Sequence, residues 1–180
     1  MTTLFTSDTH LGHDNIRGYS NRPFSTVEEM DNAIIQNWNE KVGEKDKVYH
    51  LGDFTLKDYR HAANYFRRLN GEIFVLPGSH DGYWINEDVN YVSKTGQFVT
   101  VLPPIVALEF PNYGTGKYPL TIVLCHYSMR TWQVSHYGSL HLYGHSHGRL
   151  AGTSRSMDIG VDCHNFYPLT LEEVIERLGK

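Results

Sequence analysis

Five short apolar runs in this chain each end in histidine or aspartate, and that repetition constrains the fold more than any other feature. Leu4–Ser7 leads into Asp8-Thr-His10, Val48–Leu51 into Gly52-Asp53, and Ile73–Pro77 into Gly78-Ser79-His80-Asp81. Leu120–Cys125 leads into His126, and Leu140–Tyr143 into Gly144-His145-Ser146-His147. In α/β proteins, sites gather at the carboxyl ends of strands. Strands of one sandwich edge would therefore bring these side chains into a single cleft.

The intervening segments read as helices and turns. Ser25-Thr-Val-Glu28 has the form of a capping box, and Val27, Met30, Ile34, Trp38 and Val42 follow at helical spacing. Asp58 is placed to cap a second helix with Tyr59, Ala62, Ala63, Phe66 and Leu69 on its apolar face, ended by Asn70-Gly71. The second half is β-rich. Phe98–Val101, Ile105–Phe110, Leu120–Cys125, Leu140–Tyr143 and Ser156–Val161 read as strands, with turns at Pro103-Pro104 and Asn112–Lys117. Thr170-Leu-Glu-Glu173 opens a closing helix. A βαβαβ half followed by a β-rich half predicts an α/β fold: two sheets packed face to face, flanked by helices.

Size and composition narrow the classes. The 180 residues form one domain, 1–180, long enough to bury roughly 70% of the unfolded surface without disulfides. No apolar run approaches the about 20 residues of a membrane span. The first ten residues show no basic-then-apolar leader, and Cys125 and Cys163 read as reduced thiols, so a cytoplasmic location is expected. A formal charge of −4 disfavours general nucleic-acid binding. Eleven histidines stand out, because imidazole is the commonest metal ligand and general acid.

The local spacing suits metal binding. Asp8 and His10, like His145 and His147, lie two apart, so in extended backbone their side chains point the same way. A nitrogen and oxygen set without thiolate suits manganese, iron, nickel, cobalt or zinc. About seven ligands exceed what one ion takes and fit two. A structural zinc site would favour cysteines in a closed set of four.

The ordered set Asp-x-His, Gly-Asp, Gly-x-His-Asp, His and Gly-His-x-His resembles the calcineurin-like metallophosphoesterases, from Asp8 to His147. Arg22-Pro23-Phe24, His50-Leu51-Gly52-Asp53-Phe54 and His126-Tyr127 are similar to a small, capless bacterial and phage branch of that family. The resemblance implies a two-sheet sandwich in four αββα layers. It also implies a phosphodiesterase, or phosphomonoesterase, with two divalent ions, manganese first. Asp8, His10, Asp53 and His147 would hold one ion. Asp53 would bridge to a second ion held by Ser79, His126 and His145. A metal-bridging hydroxide would attack phosphorus, His80 would protonate the leaving oxygen, and Asp81 would orient His80.

The family carries asparagine where this chain has Ser79. A hydroxyl is a shorter and poorer neutral donor, so the competing reading is an impaired or non-catalytic binding module. Expected substrate contacts are His13, Asn15 and Arg22 after the first ligand pair, and Arg130 and His136 after His126. His50 is expected as a hydrogen-bonded core residue and His61 as a solvated one. The expected partner is a small phosphoester, without stable nucleic-acid or membrane binding.

Overall fold

A computed structural model describes residues 1–178 except residue 116. Its first sheet is assembled from β1 (Thr3–Thr6), β2 (Lys47–His50), β3 (Glu72–Val75), β4 (Thr100–Val101) and β9 (Leu169–Thr170), in the order β4-β3-β2-β1-β9. β1 to β4 are parallel and β9 is antiparallel to β1. The second sheet has the order β5-β6-β7-β8: β5 (Ile105–Thr115), β6 (Tyr118–Cys125), β7 (Leu140–Tyr143) and β8 (Ser156–Asp158). β5 and β6 form an antiparallel hairpin, and β6, β7 and β8 are parallel.

Side-chain alternation along the strands divides the interior into two cores. Leu4, Val48 and Ile73 pack towards α2 (Val27–Lys41) and α3 (Tyr59–Phe66), against Met30, Ile34, Trp38, Ala62 and Phe66. Phe5, one residue on, faces the other way, into the core between the sheets with Ile122, Leu124, Leu140 and Leu142. α4 (Leu171–Arg177) adds Leu171 and Val174 to that second core. Two sheets flanked by helices are thus present as expected. The outward-facing Val123 and His141 are also buried. Segment 127–139 covers His141: Met129 N–H donates to its Nε2 at 3.0 Å, and the Trp132 ring lies 5.2 Å away.

Helix capping follows the sequence with one shift of frame. Thr26, not Ser25, caps α2: its hydroxyl accepts from Glu29 N–H at 3.1 Å, while the Glu29 carboxylate takes Ser25 N–H at 2.7 Å. Asp58 caps α3 through the N–H groups of Arg60 and His61, and Thr170 with Glu173 forms the capping box of α4. β4 is shorter than expected, because Phe98 lies in a separate bridge with Val92. β8 stops at Asp158, and Val161–Cys163 turns as a 3-10 helix. β5 continues to Thr115, opposite Tyr118, so the turn expected over 112–117 is tighter; residue 116 of it lies outside the described residues. β9 and α1 (Ile16–Tyr19) carry too few residues to show a period. Among the described residues, no helix is long and apolar enough to cross a membrane.

Phe66 is the centre of the first core. Its ring stacks on Phe54 at 4.2 Å and meets Trp84 and Tyr91 at 5.5 and 5.4 Å. Phe66→Ala should therefore cost about 3–5 kcal/mol, read as a lowered midpoint in urea denaturation.

Candidate metal centre

The strand ends meet because their backbones are tied to one another. Asp8 N–H donates to Gly52 O, His10 N–H to Asp53 O, and Gly144 N–H to His126 O, each at 3.0 Å. Val161 N–H donates to Ser7 O at 3.0 Å, joining the two sheets at this rim. Glycines permit the closeness. A Cβ on Gly78 would stand 2.2 Å from Asp53 N, and one on Gly144 2.1 Å from Ser7 Oγ and 2.4 Å from Asp8 Oδ2.

Two groups of metal-type side chains result: Asp8, His10 and His147, and Asp53, His126 and His145. In each group the candidate ligand atoms lie within 4.8 Å of one another. Asp53 joins the groups, since its Oδ2 is 3.6 Å from His10 Nε2 and 3.5 Å from His126 Nε2. Asp8, His10, Asp53 and His126 are buried, His147 is half-buried and His145 is exposed.

Several observations fit these residues to metal ions. Both ring nitrogens of His10 and Nε2 of His126 are buried without a hydrogen-bond partner, a costly arrangement unless something else binds there. Nδ1 of His126 is engaged with Leu51 O at 2.7 Å and Nδ1 of His147 with Asp162 Oδ2 at 2.7 Å, which aims each Nε2 as ligating imidazoles are aimed. Finally, Asp8, His10, Asp53, His145 and His147 all have φ between 49° and 65°. They are five of the nine non-glycine residues with positive φ among the described residues. Such strain, about 1–3 kcal/mol each, concentrates at functional sites.

The charges of the groups are interdependent. Burial pushes the Asp8 carboxyl up to about 7, against the attraction of His126 and His147. Burial would raise Asp53 too, but the imidazole of His126 close beside it, then His10, hold it below the ordinary carboxylate range. Burial opposes a proton on His126, and Asp53 outweighs it, so that imidazole is raised. Burial keeps His10 low, and partial desolvation beside His126 does the same for the more open His145.

A family model described as calcineurin-like phosphoesterase matches residues 1–149. The chain belongs to that family. Family membership implies divalent metal ions, and the two groups above are where this calcineurin-like chain could hold them. It is 31% identical to uncharacterized protein MJ1445 of Methanocaldococcus jannaschii, over 97% of this chain and 89% of that protein. It is 25% identical to the Gene 66 protein of Mycobacterium phage L5, over 89% and 86%. The crystal structure of a protein of unknown function, AQ665 from Aquifex aeolicus, superposes with a TM-score of 0.68 at 20% identity, covering 98% of both chains.

The remaining predicted site residues fall into different places. Ser79 is exposed, and its hydroxyl donates to the Asp53 carboxylate at 3.0 and 3.2 Å. His80 is exposed; its N–H donates to Asp53 Oδ1 at 2.8 Å and its ring centre is 5.7 Å from that of His10. Asp81 does not orient His80. Its buried carboxylate accepts from the N–H groups of Gly78, Asp53 and Phe54 and from Trp84 Nε1, at 2.8–3.0 Å. It joins the loops after β2 and β3, and those four donors occupy both of its oxygens.

Arg22 is likewise unavailable as a phosphate contact. Its guanidinium is fully buried, with Nε and Nη2 on Asp162 and Nη1 and Nη2 on the carbonyls of Thr9 and Asp8. His13 lies beside the centre, 5.8 Å from His10 ring to ring, whereas Asn15 is exposed at the start of α1. Arg130 is exposed in the covering segment, and the His136 ring lies tilted against Tyr137 in its 3-10 turn. The described contacts do not bring either to the centre. His50 is buried between Thr9 Oγ1 and Gly52 N–H, and His61 is exposed beside Asp58, both as expected. Asp158 and Asp162 were not singled out from the sequence. Two carboxylates four residues apart, one within and one just after the Ser156–Val161 run, were the available signal.

Two tests follow from this packing. Gly144→Ala should force the Ser7–Asp8 turn apart and abolish high-affinity Mn²⁺ binding, measured by calorimetry. Burial holds the His50 imidazole down to about 3 in the folded protein, from an ordinary 6.5. Between those values only the unfolded chain takes up that proton, so stability falls as pH falls through this window. Denaturation at pH 4 to 6 should show this slope reduced in His50→Gln, by about 1.4 kcal/mol per pH unit.

Proposed function

We propose that this protein is a dinuclear metal-dependent phosphoesterase that hydrolyses small phosphodiesters. The observation that carries the reading is the Asp53 carboxylate, one oxygen of which stands 3.5–3.6 Å from unpaired imidazole nitrogens of both ligand groups. Asp8, His10, His147 and Asp53 would hold one ion. Asp53, His126 and His145, with Ser79 beside them, would hold the other. Manganese suits this set of imidazole and carboxylate, as do iron, nickel, cobalt and zinc. Bound there, the ions would supply Lewis acidity for activating water at neutral pH and for offsetting charge on the phosphoryl oxygens.

The chain's own residues do the rest. His80 is held by its N–H on Asp53 while its ring stays exposed beside His10, where it can give a proton to the departing oxygen. Asp81 fixes the loop that carries His80 by pinning Gly78, at the point where that loop crosses Asp53. His13 borders the same opening and is the remaining candidate for a substrate contact among those expected after the first ligand pair. A buried ion-holding cluster in an acidic chain gives a local positive field for an anionic substrate when loaded.

One observation favours a second reading, that of an impaired enzyme or binding module. The Ser79 hydroxyl donates to both oxygens of Asp53 and so competes for lone pairs that a shared ligand needs.

The deciding experiment is Mn²⁺-dependent hydrolysis of bis-p-nitrophenyl phosphate. Wild type should turn over, Asp53→Asn should be inactive, and His80→Ala should fall by roughly 10²–10⁴-fold. Strong activity in Ser79→Asn with almost none in wild type would establish the impaired enzyme. No turnover in either would overturn the phosphodiesterase reading.

A further inference from the structure

The family model ends at residue 149, yet the segment after β8 reaches the metal centre with two carboxylates. Asp158 Oδ2 accepts from Ser146 Oγ at 2.5 Å and Gly148 N–H at 3.0 Å, on either side of His147. Asp162 Oδ2 accepts from His147 Nδ1 at 2.7 Å. The same carboxylate takes a bidentate pair from Arg22, Nε to Oδ1 at 2.8 Å and Nη2 to Oδ2 at 2.9 Å. Arg22 then donates to Asp8 O at 2.7 Å and Thr9 O at 2.9 Å.

A continuous buried chain therefore runs His147–Asp162–Arg22 to the Asp8-Thr9-His10 backbone. It touches each sequence segment of one ligand group. The Asp53–His126–His145 group has no part in it: His126 is oriented by Leu51 O instead. Fork-to-fork pairing of arginine and carboxylate is rigid as well as strong, and carboxylates on the far nitrogen of ligating imidazoles fix ring orientation. The chain is also protected, with the Arg22 guanidinium fully buried and 5.8 Å from the Phe166 ring centre.

Resting on the metal-dependent reading above, we infer that Asp162 is a positioning residue that sets the affinity of the Asp8–His10–His147 ion site alone, acting through His147 and Arg22. The C-terminal segment is thus part of the metal centre, and its carboxylate acts directly on one of the two ion sites.

The test is Mn²⁺ titration of the full chain by calorimetry, with electron paramagnetic resonance reporting coupled against isolated ions. Wild type should bind two ions and give a coupled spectrum. Asp162→Ala should weaken one site by about 10–100-fold and give an uncoupled spectrum at Mn²⁺ levels that fill only the other. Asp162→Asn keeps an acceptor for His147 but loses the charge pair with Arg22; it should show a smaller loss and serves if the alanine variant does not fold. The decisive arm is a cycle with the ligands. Adding Asp162→Ala to His147→Ala should cost less Mn²⁺ affinity than Asp162→Ala costs alone, since only the Arg22 arm is then left to lose, whereas adding it to His126→Ala should weaken the site that remains. Equal weakening of both sites, unchanged affinity in a folded variant, or additive losses with His147→Ala would overturn the inference while leaving the metal reading intact. A wild type that binds no Mn²⁺ would overturn both.

Discussion

Asp53 sits, nearly buried, where two sheets end, and four protein groups converge on its carboxylate. His80 N–H and Ser79 Oγ donate to it, and the Nε2 atoms of His10 and His126 stand within 3.6 Å. A buried carboxylate among unpaired imidazoles is an expensive arrangement in an apolar interior. The fold supports it with a dense set of backbone ties and with Asp81, which takes four N–H groups from the two loops around it. The left-handed backbone at five of the six clustered residues belongs to the same compromise. Stability is given up at the rim so that donors converge, and the two cores below make up for it.

Those cores are possible because neighbouring strand residues serve different layers. Leu4 packs under the helices, and Phe5 packs between the sheets. Each strand therefore reads as a nearly continuous apolar run, as parallel strands covered on both faces do. The polar residues are displaced to the strand ends, which explains why the chemistry of this calcineurin-like chain follows its hydrophobic pattern so closely.

Much of the centre was legible in the sequence for that reason. Asp8, His10, Asp53, His126, His145 and His147 come together from the ends of separate apolar runs, and a helix cap at Asp58 or Thr170 needs only local spacing. The residues whose positions differed from expectation depend on distant partners. Arg22 reads as an exposed phosphate contact until Asp162, 140 residues away, takes its guanidinium. Asp81 follows His80 in sequence, yet Gly78 N–H and the Asp53 and Phe54 amides are the donors its buried side chain meets. The N-cap of α2 shifted by one residue because Ser25 and Thr26 are both competent caps, and only the direction of the incoming chain chooses between them.

The sequence by itself determined the strands, the principal helices and the kind of chemistry, since periodicity, capping and donor type are properties of neighbouring residues. The tertiary structure alone decided which side chains act on one another. It placed Ser79 on Asp53, gave Asp81 and Arg22 to the frame of the centre, and brought a C-terminal carboxylate to His147. Burial and hydrogen-bond competition between segments far apart in the chain set those choices, and no local pattern encodes them.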